Sequence, residues 1–352
     1  MMLTSAVRSV WVIGALFMAA GALSSPVFQT SHVLLHEYFN HRYAAANALA
    51  STGAQAGGIV LPIVTSHVLI AYGVEGALLC LGVIFLNFVV IASLLRPIKV
   101  RVTGVEEDAI AVDTSCPVDN HPSRNINIQT RDETAGPKHK GLIKGYLLRT
   151  GSWLADVTYF QTLRAEKVYC TLILPSVFLH QIAYIGWALF MVPYVHSFGM
   201  SPSREAYLPV TGAIGGLFGR LTAGGVLYLR PKWGKRTLVS GTIISSVGLL
   251  IFGLLHSHIS QFISTFLAGF GLFATFTSFY AILHDSVAKE NFSGIIAFTS
   301  FIRGFGVATG GYATGLIFEL TGSFAVAFRV LACMDAAILI LIFSFALIKK
   351  IN

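Results

Sequence analysis

The sequence predicts an all-α integral membrane protein of about nine transmembrane helices, on three observations. Of its 352 residues 55% are apolar and only 11% charged, with a mean hydropathy of +0.72. A water-soluble domain carries roughly a quarter charged residues, so most of this chain has lipid as its solvent. Apolar stretches long enough to cross a bilayer, roughly 20 residues each, recur along the chain. Finally, the basic residues are segregated. Of the 24 Lys and Arg, 20 fall on one predicted side (Arg42, the stretch from Arg96 to Lys167, Arg230 to Arg236, Lys289, Arg303, Lys349 and Lys350) and three (Arg8, Arg204, Arg329) on the other.

The predicted spans are 10–35, 45–70, 76–95, 168–194, 205–229, 237–256, 260–283, 295–317 and 325–348. The first is read as one kinked span, with Pro26 inside it and His32, His36 and Glu37 crowding its end. Residues 96–167 are polar, with Glu106-Glu107-Asp108 and several prolines and no amphipathic period. They predict a largely disordered cytoplasmic loop. Basic residues mark the cytoplasmic side, so this loop and the C-terminus are expected inside and the N-terminus outside. The predicted organisation is a three-span bundle over 1–95, the loop over 96–167, and a six-helix bundle over 168–352.

Composition also excludes function classes. The net charge of +8 follows from membrane topology, since no basic helix or aromatic–basic interleaving forms a nucleic-acid surface. The cysteines Cys80, Cys116, Cys170 and Cys333 lack metal spacing and a CxxC pair. The three in apolar segments are expected to be buried hydrophobes. Two histidines in an outer turn, His256 and His258, make a poor metal site. No hydrolase triad, phosphate loop or paired catalytic carboxylates are present, so neither an enzyme nor a cofactor is expected. A receptor or channel would need a ligand-binding ectodomain or a filter-like loop, and neither is seen. Asn291-Phe292-Ser293 forms a sequon on the predicted inner side, where it would not be used.

The segment Tyr38-Phe39-Asn40-His41-Arg42-Tyr43, followed by small residues through Asn47 to Gly53, carries a recognisable pattern. It resembles the signature of the monocarboxylate transporter family (solute carrier family 16), a branch of the major facilitator superfamily. Tyr72-Gly73-Val74-Glu75-Gly76 is similar to that family's turn into its sixth helix, Asn87 and Arg96-Pro97 to that helix's middle and end, and Gly322-Ser323-Phe324 with Ala327-Phe328 to the start of its twelfth. The resemblance implies a major facilitator-type bundle and a secondary transporter working by alternating access. It implies a small organic carboxylate or amino acid as substrate, a plasma-membrane location, and room for a single-span accessory subunit. The family's first-helix motif and second helix have no counterpart. The N-terminal half is therefore expected to lack its first helices, and the alternative expectation is a truncated, non-transporting isoform acting as an assembly partner or inactive product.

From the residues themselves, Arg220 is the sharpest signal. It lies inside Gly212-Ala213-Ile214-Gly215-Gly216-Leu217-Phe218-Gly219-Arg220. A charge deep in a span costs about 2.5–3.5 kcal/mol on insertion scales, so it usually faces a polar cavity or a partner. Arg230 marks the end of the span about 15 Å away, far to snorkel. A guanidinium suits a carboxylate, and the resemblance places Arg220 where the family holds its substrate-anchoring arginine. The aspartate that proton-coupled members carry one turn earlier is Gly216 here, so proton coupling is in doubt. Asp335 is a second intramembrane charge, with Arg220, Arg329 or a substrate ammonium as its partner. Phe270, Phe273, Phe276, Phe279 and Tyr280 form an aromatic stripe, which predicts a lipid-facing or helix-facing surface, with Phe276 and Tyr280 as candidate cavity walls. The predicted substrate residues are Arg220, Asp335, Phe276 and Tyr280, and the signature residues are Tyr38, Phe39, Arg42, Asn47 and Gly53. His284 and Asp285 read as interface or gate contacts, and Arg303 as a cytoplasmic anchor. Gly306–Gly310 and Gly311–Gly315 read as helix-packing pairs, as do Gly53 and Gly57.

Overall fold

The computed structural model describes residues 10–39, 42–94 and 160–351. The bulk of the predicted 96–167 loop, with Cys116, lies outside the described residues, as does His41. Among the described residues every regular element is helical. In lipid a helix satisfies each backbone N–H and C=O within its own segment.

In chain order the helices are α1 (Val10–Phe39), α2 (Tyr43–Leu94), α3 (Phe160–Ala165), α4 (Leu174–Ser197, preceded by a π-helical turn Tyr169–Ile173), α5 (Pro202–Glu205), α6 (Tyr207–Leu229), α7 (Gly234–Leu254), α8 (His258–Ser286), α9 (Phe292–Thr321) and α10 (Phe324–Ile351). Among the described residues eight stretches are long and apolar enough to span a membrane: two arms of α2 and one each around α4, α6, α7, α8, α9 and α10. They correspond to the last eight predicted spans. The first predicted span forms α1, a helix of 30 residues with Pro26 inside it.

Two of the predicted spans, 45–70 and 76–95, are arms of one 52-residue helix. They bend at Gly73, whose φ of 68° and ψ of −173° are not helical. Only glycine holds that conformation without strain. At the other end of the chain, α9 stops at Gly322 (φ 65°), whose N–H reaches the Phe318 carbonyl at 2.7 Å, and α10 follows two residues later.

The C-terminal bundle is layered. One apolar cluster gathers Tyr169, Val177, Leu238, Phe279, Ile295, Ile338 and Phe345. A second gathers Ile182, Trp187, Leu249, Phe252, Leu272 and Phe328. On α4, α7, α8 and α10 the residues lying between the two clusters are polar and buried: His180, Thr242, Ser245, Thr275 and Asp335. The outward faces are apolar, with Leu189, Phe218, Ile243, Phe301, Ile340 and Phe343 exposed. Such a surface would aggregate in water and is suited to lipid. This also corrects the expectation for cysteine: Cys333 is exposed, and Cys80 and Cys170 are half-buried, because an apolar side chain need not face inward in a membrane.

Glycines set the helix spacing. Gly306 packs on the Phe178 carbonyl and Gln181, and Gly310 on Ile182, so α9 meets α4 at close range. In the α2–α6 contact the close approaches are Ala48 with Gly224 and Gly58 with Ala213. Gly53 and Gly57, expected to be a helix-packing pair, have no atom of another helix within 4 Å of where a Cβ would stand. The helical turn rotates them off the contact face.

Candidate functional site

The site is built around α6. Gly212, Gly215, Gly216 and Gly219 recur at spacings of three and four and share one face. That face lies directly on α8, with Gly215 against the Phe266 carbonyl, Gly219 against the Phe270 carbonyl, and Gly212 against Gly269. The absent side chains bring α6 and α8 together, and Arg220 follows at the edge of the seam. Its side chain is only 4% exposed. It does not run out to the membrane surface but lies over two α8 rings, 4.9 Å from the Phe273 centroid and 4.7 Å from that of Phe276. The guanidinium Nε and Nη1 are buried without a hydrogen-bond partner. No Asp or Glu comes within ion-pair distance of Arg220 among the described residues.

Arg220 borders a cavity of about 960 Å³ between α1 and α2 on one side and α6, α8 and α9 on the other. Gln29 and His32 of α1, Asn47 and Ser51 of α2, Phe276 and Tyr280 of α8, and Ser300 of α9 also line it. Of the four substrate residues predicted, the structure brings Arg220, Phe276 and Tyr280 to this one space. Of the signature residues, Tyr38, Phe39, Asn47 and Gly53 line it too, while Arg42 stands outside over the Tyr228 ring at 4.8 Å. The aromatic stripe is divided. Phe273, Phe276 and Tyr280 turn toward the arginine and the cavity, whereas Phe279 is buried in the core beside His180.

Asp335 is elsewhere. It is fully buried in the polar layer between the two apolar clusters, accepting hydrogen bonds from Ser245 and, at 3.0 Å, Ser246. His180 Nδ1 lies 3.5 Å from its other oxygen. It meets neither Arg220 nor Arg329, and it does not line the cavity. Its helical register turns it toward α4 and α7, which the sequence pattern alone did not reveal.

Two residues were missed. Arg303, read as a cytoplasmic anchor, shares Phe276 with Arg220, its guanidinium lying 4.0 Å from the Phe276 centroid and 4.7 Å from that of Tyr280. Its Nη1 donates to the Tyr280 hydroxyl at 2.6 Å. His32 stacks on Tyr280 at 4.8 Å, with its Nε2 3.2 Å from the same hydroxyl. Since Arg303 can only donate, the Tyr280 proton is free to turn to His32 Nε2. The depth of Arg303 in its helix was a usable signal, because it lies more than two turns beyond Phe292 at the start of α9. His32 gave none beyond being polar.

Where α1 ends and α2 begins, aromatic rings from four segments meet. His36 stacks on Phe292 at 3.8 Å, and Tyr43, completely buried, stacks on His284 at 5.6 Å. His284 thus makes a ring contact between chain segments, while Asp285 beside it bonds its Nδ1 at 3.4 Å.

A sequence model of the Major Facilitator Superfamily matches residues 1–311. The chain belongs to that superfamily. Among relatives of this superfamily member, human monocarboxylate transporter 14 is 22% identical over 361 aligned residues, covering 89% of this chain and 68% of that protein. Monocarboxylate transporter 2 of Meriones unguiculatus is 22% identical over 298 residues, covering 84% of this chain and 56% of its own. In architecture the facilitator is similar to a crystal structure of the E. coli fucose:proton symporter FucP. The TM-score is 0.57 at 14% identity, over 87% of this chain and 70% of that one. At that identity the likeness concerns the fold alone. Family and helices together make this a multi-pass membrane transporter of the superfamily, related to monocarboxylate transporters.

Proposed function

We propose that this facilitator moves a small organic carboxylate or amino acid across the membrane by alternating access, with the anionic group of the substrate held at Arg220. The observation that carries the reading is a buried guanidinium with two unpartnered nitrogens, beside a cavity between the N-terminal and C-terminal helices. An unpaired cation in such a place is costly, and an anionic occupant removes the cost. Facing rings of Phe276 and Tyr280 supply apolar walls for the rest of the solute. Transporters of this architecture rock one bundle against the other around a fixed mid-membrane site. The rings of His36, Tyr43, His284 and Phe292 are suited to be the closure on one side.

Transport is proposed to be uncoupled from protons. No Asp or Glu lines the cavity among the described residues. At Gly216, a methyl group would stand 2.8 Å from Phe273 Cε2 and 2.9 Å from Gln55 Oε1. A carboxylate at that position would not fit without repacking. The loop and C-terminus are proposed to be cytoplasmic and the membrane to be the plasma membrane, from the basic-residue bias and the relatives' resemblance.

The test is uptake of a panel of radiolabelled carboxylates and amino acids by proteoliposomes, with and without an inward proton gradient. Arg220→Ala provides the comparison. The expected result is saturable uptake of at least one anion by the native chain, unaffected by the gradient and lost in the variant. Equal uptake by both proteins overturns the role of Arg220, and acceleration by the gradient overturns uncoupled movement.

A further inference from the structure

The cavity wall holds more positive charge than one carboxylate needs. Phe276 is shared between two guanidinium groups, Arg220 at 4.7 Å and Arg303 at 4.0 Å from its centroid. They come from different helices, α6 and α9, and neither has an Asp or Glu within ion-pair distance among the described residues. Two like charges against one ring, in a low-dielectric setting, repel each other. The ring faces relieve only part of that. Arg303 is also held in place, since its Nη1 donates to the Tyr280 hydroxyl at 2.6 Å and its plane lies over that ring. Tyr280 is in turn held by its stacked contact with His32. A mobile surface arginine would have no such restraints. Phe276, Tyr280 and Ser300, one turn from Arg303, all line the cavity, so the second cation sits immediately behind its wall.

We propose that Arg303 is a specificity-determining residue and that the site takes a small organic dianion. One carboxylate would meet the unpartnered edge of Arg220. The other would lie toward Arg303, at the Tyr280 hydroxyl and Ser300. This deepens the carboxylate reading above and rests on it. A monoanion would leave one of the two charges uncompensated, whereas a dicarboxylate compensates both. Because a planar guanidinium can bind a carboxylate through two parallel N–H donors, Gln or Lys at 303 would not be an equivalent replacement.

The probes are radiolabelled succinate and succinamate, which have nearly the same shape and differ by one negative charge. Uptake into proteoliposomes is measured for the native chain, Arg303→Gln, Arg303→Lys and Arg220→Gln. The native protein is expected to take succinate with a KM at least tenfold below that for succinamate. Arg303→Gln should erase that preference by raising the succinate KM alone, and Arg303→Lys should retain part of it. Thermal stabilisation of the purified native chain by succinate beyond that by succinamate gives the same answer without any variant. Equal KM values for the two probes in the native chain overturn the proposal, as does Arg303→Gln weakening both equally, the sign of a structural role through Tyr280. If the native chain treats both probes alike while Arg220→Gln abolishes both, the dianion inference fails and the carboxylate reading stands. A native chain that moves neither these probes nor any other carboxylate or amino acid removes both.

Discussion

Replacing Arg220 by methionine separates a functional arginine from a structural one. Burying the charge costs about 2.5–3.5 kcal/mol on insertion scales. Two buried guanidinium nitrogens find no acceptor, each forfeiting about 1–3 kcal/mol. Against this stand two ring contacts, at 4.9 and 4.7 Å, of about 0.5–2 kcal/mol each. The balance for the empty protein is near zero or unfavourable to the arginine. A methionine fills comparable space, keeps favourable sulfur–aromatic contacts with Phe273 and Phe276, and brings no charge. Arg220→Met is therefore expected to leave the melting temperature of the purified protein unchanged or raised by a few degrees. Transport responds oppositely. Losing one partner of a desolvated charge pair costs about 2–5 kcal/mol, and each 1.4 kcal/mol is about tenfold. Uptake efficiency for an anionic substrate should fall by roughly thirtyfold to several thousandfold. The assays are a fluorescence melt in detergent and initial-rate uptake in proteoliposomes at equal protein loading. A variant that melts well below the native protein, or that transports normally, refutes the reasoning.

Three further outcomes follow from the same geometry. Asp335→Ala removes the acceptor of the Ser246 hydroxyl and the carboxylate 3.5 Å from His180 Nδ1 in a buried layer, while Ser245 keeps the Thr242 carbonyl at 3.0 Å, so it should lower stability by about 1–3 kcal/mol, read in the same melt, while leaving the substrate KM of the surviving protein unchanged. Gly216→Ala places a methyl against the Phe273 ring and Gln55; overpacking of this kind costs about 1–3 kcal/mol, and displacement of Phe273 from Arg220 should depress uptake as well, so a native-like melt and uptake would contradict the tight seam. Gly73→Ala forces a Cβ into a backbone conformation suited to glycine, at about 1–3 kcal/mol, and should lower the melting temperature although the site is open, with nothing within 4 Å of the added atom.

The resemblance to a transporter family and the depth of Arg220 were both legible without coordinates, and for a common reason. In a membrane each span must satisfy its own backbone and present apolar side chains to lipid, so spans and misplaced charges can be read one segment at a time. The aromatic stripe on α8 was equally visible as a helical spacing. Which of its rings would face an arginine was not, since spacing specifies a face of a helix and leaves its neighbour open. The Tyr38–Gly53 signature appeared as a packing and anchoring motif, whereas Tyr38, Phe39, Asn47 and Gly53 line the cavity and the close helix contacts fall on Ala48 and Gly58.

The sequence by itself determined the membrane class, the span plan, and the presence of a permanent cation inside a span that begs for an anionic partner. Only the tertiary structure decided which polar residues share a space with it. His32 and Tyr280 meet across 248 positions of chain. Arg303 is drawn from an expected surface role onto Phe276, and Asp335 is turned away into a buried layer with His180, Ser245 and Ser246. The physical reason is that burial cost is a property of one side chain and its depth. Charge compensation is a property of distances between helices, which the order of residues along any one of them does not contain.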